Sequence, residues 1–114
     1  MNQLNNATSH PKTILLQKSN FVREYKEFIG RKILLDCRNP DETALGILPN
    51  ACVIPLPDLQ KRISEIPLDS VVFIYCRTGN RAKTAALALE AIGIQKIKIA
   101  IDCGYAELKN EITQ

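Results

Sequence analysis

The sequence predicts an α/β fold, a mostly parallel sheet with helices on both faces, and three observations carry that expectation. Apolar runs of strand length alternate along the chain with segments of helical periodicity. The central runs, Ile33-Leu34-Leu35 and Val71-Val72-Phe73-Ile74-Tyr75, are apolar or aromatic throughout instead of alternating, as strands buried on both faces are. Asp36, Cys76 and Asp102 then fall at the carboxyl ends of predicted strands, the edge where such sheets collect their chemistry.

Taken in order, residues 1–11 read as a flexible N-terminal tail with little to bury, and residues 12–114 as a single domain. Lys12 to Gln17 forms a short edge strand. Ser19 or Asn20 caps a helix carrying Phe21, Val22, Tyr25, Phe28 and Ile29, with Gly30 as its stop. Lys32 to Asp36 is a buried strand, and Asn39-Pro40-Asp41-Glu42 starts a turn. Leu48-Pro49-Asn50 bends the chain into the short strand Cys52-Val53-Ile54. Pro57-Asp58 opens a helix with Leu59, Ile63 and Ile66 on one face. Val71 to Tyr75 is the central strand, Asn80 to Ile92 a helix stopped by Gly93, Lys96 to Asp102 a strand, and Tyr105 to Glu111 a last short helix.

The composition narrows the function classes. A net charge of +3 with no Lys/Arg block gives no footprint for nucleic acid and at most favours small anionic substrates. Met1 to Lys12 lacks the apolar core of a signal peptide and no run approaches membrane-spanning length, so a cytoplasmic protein without membrane contact is expected. The four cysteines, Cys37, Cys52, Cys76 and Cys103, contain no C-x-x-C pair, and the single His10 lies in the tail. A metal site is not expected, nor any other cofactor, nor stable disulfides.

The chemistry concentrates at Tyr75-Cys76-Arg77-Thr78-Gly79-Asn80-Arg81-Ala82. Cys76 ends a buried strand. A loop with one glycine and an arginine at each end follows, and then a helix begins. The free backbone N–H groups and positive dipole end of that helix face the thiol, a setting that lowers a thiol pKa and holds an anion. Cys76 is therefore the candidate nucleophile. Cys52 reads as core.

At these residues the chain resembles the rhodanese-like sulfurtransferase domain, over about residues 12 to 110. Leu35-Asp36-Cys37-Arg38-Asn39-Pro40-Asp41-Glu42 is similar to the family's L-D-x-R-x-P-x-E signature. Gly46-Ile47-Leu48-Pro49-Asn50-Ala51 stands in the place of its G-H-I-P-G-A turn, Ile54-Pro55-Leu56 in that of its I-P-L, and Tyr75 to Ala82 in that of its active loop Y-C-x-x-G-x-R-[SA]. The resemblance implies a five-stranded sheet, with the nucleophile strand between the first-signature strand and the last strand. It also implies a persulfide mechanism. Cys76 takes the outer sulfur of thiosulfate or another persulfide donor and yields it to a thiol, to cyanide, or to a sulfur-accepting protein. Loop amides from Arg77 through Thr78, Gly79 and Asn80 to Arg81 and Ala82 hold the sulfur anion, with Arg77 and Arg81 steering the anionic donor. Asp36 and Arg38 read as structural supports.

Three departures from the family pattern stand out. Ile47 replaces a histidine. Asn50 replaces a glycine and tolerates positive φ better than most residues. Near the C-terminus, Cys103 replaces a glycine and Leu108 a tryptophan, which is expected to reshape the pocket wall. Cys37 and Cys103 read either as packing residues or as a resolving thiol for Cys76. Cys103 is favoured for the second role, because the family brings its loop close to the pocket.

Two other functions fit the fold class. A phosphatase or arsenate reductase needs five residues between Cys and Arg to cup a tetrahedral oxyanion, and only four separate Cys76 from Arg81. A non-enzymatic regulatory or protein-binding module commonly loses the cysteine or its loop, and this chain keeps both.

Overall fold

Strand β4 (Val71–Tyr75) is buried along its whole length and forms the spine of the molecule in the computed structural model, which describes residues 12–113. The expected tail, with His10, lies outside the described residues. Around β4 the sheet runs in the order β1-β5-β4-β2-β3, with β1 at Lys12–Leu16, β2 at Lys32–Asp36, β3 at Ala51–Val53 and β5 at Lys96–Ala100. Every pairing is parallel. The strand that ends at Cys76 therefore sits between the first-signature strand and the last strand.

Side-chain alternation along β4 divides the core in two. Val72 and Ile74 point to one face, where helix α3 (Asn80–Ala91) lays Ala82, Ala85, Ala86 and Leu89 against the sheet. Alanines let this helix approach closely, which brings its N-terminus up to the end of β4. Val71, Phe73 and Tyr75 point to the other face. Helix α1 (Lys18–Glu27) covers it there with Phe21 and Val22, and Leu108 of the short helix α4 (Tyr105–Leu108) adds to the cover. Phe21 and Tyr25 meet the ring of Phe73 edge-on, at centroid distances of 5.7 and 5.2 Å. A further single turn, α2 (Pro40–Thr43), follows β2.

Several element boundaries differ from the sequence expectation. Helix α1 begins two or three residues early: Gln17 is its N-cap and makes no side-chain cap bond, so Ser19 and Asn20 lie inside it. Phe28 turns extended and ends the helix, leaving Ile29 exposed ahead of Gly30. The helix expected from Pro57 is replaced by two 3-10 turns, Leu56–Asp58 and Ile63–Glu65. Arg62, at φ −110° and ψ 15°, interrupts what would have been a continuous helix. Both Leu59 and Ile66 are buried all the same, so two separate turns achieve what the helical spacing had suggested. Asn50 does adopt positive φ, at 66°. No helix among the described residues is long and apolar enough to cross a membrane.

Candidate active site

Cys76 is the first residue beyond β4, and its side chain shares the face of Val72 and Ile74. The chain must reverse within three residues to enter α3, and Gly79 makes this possible. It is the helix N-cap with φ +115°, and a Cβ there would stand 3.0 Å from the Ala100 carbonyl.

The segment after β5 holds the loop from outside. Asp102 donates its N–H to the Thr78 carbonyl at 2.9 Å, and Tyr105 donates to the Cys76 carbonyl at 3.2 Å. Gly104 between them lies so close that an added Cβ would be 2.3 Å from the carbonyl oxygens of both Cys76 and Arg77. With these carbonyls engaged outward, the loop amides turn inward. The Gly79 N–H reaches Cys76 Sγ at 3.1 Å, and the Thr78 and Ala82 amides add to the stabilisation of a charge on that sulfur. Ala82 contributes because it lies in the first turn of α3, where a helix leaves its N–H groups without internal partners.

The largest influence on Cys76 is a second thiol. Cys37 follows β2, which pairs with β4 so that Asp36 lies opposite Tyr75; Cys37 is thus the next neighbour across from Cys76. Both belong to the same core cluster and both are buried. The neighbouring Cys37 thiol, with the amides of Ala82, Gly79 and Thr78, outweighs burial and lowers the Cys76 pKa to about 5. The adjoining Cys76 sulfur and burial together push the Cys37 thiol far up, so Cys37 keeps its proton. In this structure the Cys37 thiol donates that proton to the Tyr75 carbonyl, 3.8 Å away. Once Cys76 is ionised, the charged sulfur is the stronger acceptor. A thiolate so stabilised is available for nucleophilic attack at neutral pH.

Cys103 stands elsewhere. It is buried in the cluster on the opposite face, with Leu16, Ala100 and Leu108. The thiol beside Cys76 is that of Cys37, not the favoured Cys103. Neither Cys103 nor Leu108 lines the cleft above Cys76, so the wall expected to be reshaped by them is built from other residues.

That cleft has a volume of about 550 Å³. Arg77 and Thr78 are exposed on its rim, Tyr105 to Glu107 form one wall, and Glu42 and Leu45 form the other. Arg77 makes no ion pair among the described residues and is free to meet an anion. Asn80 is exposed at the first position of α3 and is not part of the lining.

Arg81 is engaged. Its guanidinium meets both oxygens of Glu42 at 2.6 and 2.9 Å, a bidentate pair bridging the active loop to α2. That pairing holds the Glu42 carboxyl down at about 2. Glu42 also accepts the Asn39 N–H at 3.0 Å, which caps α2. Sequence reasoning gave Glu42 no role. The available signal was its place three residues after Asn39, in the signature that also carries Asp36 and Arg38.

Asp36 and Arg38 form a separate brace on the Tyr75 face. The fully buried Asp36 takes the Arg38 guanidinium through bonds of 2.8 to 3.1 Å. Arg38 in turn donates to the Gly46 carbonyl at 2.7 Å and lies 4.6 Å from the centre of the Tyr105 ring. The Tyr75 hydroxyl accepts the Leu48 N–H at 3.1 Å, and burial and the nearby Asp36 push its pKa up. This network ties the turn after α2 to the cleft, which Arg38 itself lines together with Cys76.

The rhodanese-like domain model matches residues 21–111. A sulfurtransferase of Allochromatium vinosum is 40% identical over 65 residues, which are 57% of this chain and 61% of that protein. The chain spans less than two thirds of the curated relatives it matches. Among solved structures, the SSP1007 protein of Staphylococcus saprophyticus superposes with a TM-score of 0.71 at 22% identity, covering 86% of this chain and 95% of that one. The human single-domain sulfurtransferase TSTD1 gives 0.63 at 21% identity, over 82% and 92%. These two likenesses show the same fold. With a family model running from α1 to the end of the C-terminal segment, over the sheet and loop just described, the chain belongs to the rhodanese-like domain family.

Proposed function

We propose that the chain is a sulfurtransferase in which Cys76 accepts a sulfane sulfur from a small anionic donor such as thiosulfate and passes it to a thiol or cyanide. The observation that carries this reading is the way Cys76 Sγ is held. Three loop amides and one thiol act on a single sulfur atom that ionises at about pH 5. The Cys76 thiolate attacks the outer sulfur of thiosulfate, sulfite leaves with the electron pair, and Cys76 carries a persulfide. An acceptor thiolate or cyanide then attacks the outer sulfur and Cys76 leaves as thiolate.

In this reading Arg77 meets the anionic donor at the cleft mouth and the amides of Thr78, Gly79 and Ala82 stabilise the sulfur anion before and after transfer. Arg81 holds the loop in shape through Glu42, which occupies one N–H on each terminal nitrogen. The open cleft leaves room for a cysteine thiol on a protein acceptor.

The ring of four residues between Cys76 and Arg81 argues for sulfur over phosphate, so negligible aryl phosphate hydrolysis is expected. The test is intact mass after thiosulfate treatment: gain of one sulfur atom, lost on adding cyanide and absent in Cys76→Ser. Sulfur gain that persists in Cys76→Ser would overturn the assignment.

A further inference from the structure

Cys37 occupies the variable position of the L-D-x-R signature, and its side chain lies beside that of Cys76 in one buried cluster. The contact is set by the backbone. Asp36 and Tyr75 are register partners in a parallel ladder, so the residues that follow them are neighbours across strands spaced about 4.8 Å apart. That spacing falls inside the range of Cα separations that a disulfide spans, roughly 4.4–6.8 Å. The Cys37 N–H still reaches the Tyr75 carbonyl at 3.4 Å, which keeps the two ends side by side past the formal end of the strands. Both side chains lie on the α3 face. Cys52 and Cys103 do not share this arrangement: Cys52 is paired with Leu35 on the far side of β2, and Cys103 lies on the other face of the sheet.

We propose that Cys37 is a resolving thiol for Cys76: it displaces the outer sulfur of a Cys76 persulfide as hydrosulfide and closes a Cys37–Cys76 disulfide. This rests on the persulfide chemistry of Cys76 given above and adds a second exit for the sulfur when no acceptor enters the cleft. The Cys37 sulfur attacks Cys76 Sγ, the bond from Cys76 Sγ to the outer sulfur breaks, and the outer sulfur departs with that electron pair. The proton of Cys37 goes to the departing sulfur, giving hydrosulfide. Two electrons move to the sulfane sulfur, one formally from each cysteine. A dithiol reductant resets the pair by thiol–disulfide exchange.

The side-by-side placement by which Cys37 supports the Cys76 thiolate becomes the line of attack once Cys76 carries the extra sulfur. The raised pKa of Cys37 makes discharge slow next to transfer to an acceptor, since the proton must leave as the sulfur attacks.

The test loads the full chain with inorganic polysulfide, which persulfidates a reactive thiolate whether or not thiosulfate is a donor, and then removes excess reagent. In the wild type the added sulfur should disappear over time without acceptor, with one equivalent of hydrosulfide released and a Cys37–Cys76 linked peptide recovered. Cys37→Ser and Cys37→Ala should retain the added sulfur at least tenfold longer, and Cys103→Ser should behave as the wild type. A wild type that retains its sulfur as long as the Cys37 variants, or a disulfide to another cysteine, overturns the proposal. Failure of polysulfide to load Cys76 overturns it together with the sulfurtransferase reading. Normal discharge alongside no thiosulfate–cyanide turnover supports Cys37 and counts only against the donor and acceptor assignment.

Discussion

The carboxylate of Glu42 and the guanidinium of Arg81 lie face to face, with oxygen–nitrogen distances of 2.6 and 2.9 Å, and this pair fastens the Cys76 loop to the turn after β2. Both side chains are about a quarter exposed, so solvent screens the pair in part. Glu42→Gln is expected to lower stability by about 1 kcal/mol at neutral pH, a few degrees in Tm. The sign with pH follows from the depressed carboxyl: the stabilisation is complete above the ordinary value of 4.5 and is lost as pH falls through about 2. Chemical denaturation of both proteins at pH 7 and pH 3 should show the gap between them shrinking on acidification. A gap that grows on acidification would contradict the pairing.

Cys76 is expected to titrate near pH 5, so alkylation by a small neutral haloacetamide should fall away below that pH and level off above it. Removing the Cys37 donor takes away the largest stabilising contact of the thiolate. Cys37→Ala should move the midpoint up by about one pH unit, the equivalent of one hydrogen bond to a charged group. An unmoved midpoint would show that the loop amides suffice alone.

Gly104→Ala places a methyl group within 2.3 Å of two backbone carbonyl oxygens, neither of which can rotate away. The segment that closes the loop must then move, and with it the Tyr105 N–H to Cys76 bond. Loss of about 2 kcal/mol or more is expected, with a fall in sulfur transfer. Denaturation and turnover measured together check this, and near wild-type values in both would refute the close approach.

Arg77 touches no carboxylate among the described residues and stands exposed on the cleft rim. Arg77→Ala should therefore leave stability within about 0.5 kcal/mol of wild type. Its effect is expected in the thiosulfate KM, raised several-fold with kcat within about twofold, because a positioning charge acts before the chemical step. A drop in kcat with unchanged KM would place the side chain in the transition state instead.

The fold was legible in the sequence where the signal is local and repeated. Uninterrupted apolar runs of strand length mark β2 and β4, because a strand covered on both faces can show water no side chain. The glycine three residues after Cys76 marks the reversal into α3, because few other residues adopt φ near +115°. The helix expected from Pro57-Asp58 through Ile66 does not form, for the converse reason. The apolar spacing there fits a helix, but the same burial is reached by two turns, and periodicity cannot tell the two apart over so short a span.

Partners of side chains across the fold belong to the tertiary structure. Arg81 and Glu42 are far apart in sequence, and nothing local marks them as a pair. The cysteines make the division plain. By strand parity, Cys103 continues the line of Ile97, Ile99 and Ile101 and belongs on the face of Cys76. Asp102, at φ +57°, breaks that parity and carries Cys103 to the opposite face. The sequence by itself determined the strand order around β4 through its family motifs, and put Cys76 at a helix N-terminus. Which second cysteine meets it was decided by one left-handed residue and by the register of β2 against β4, since a single change of backbone direction sends a side chain to the other side of a sheet.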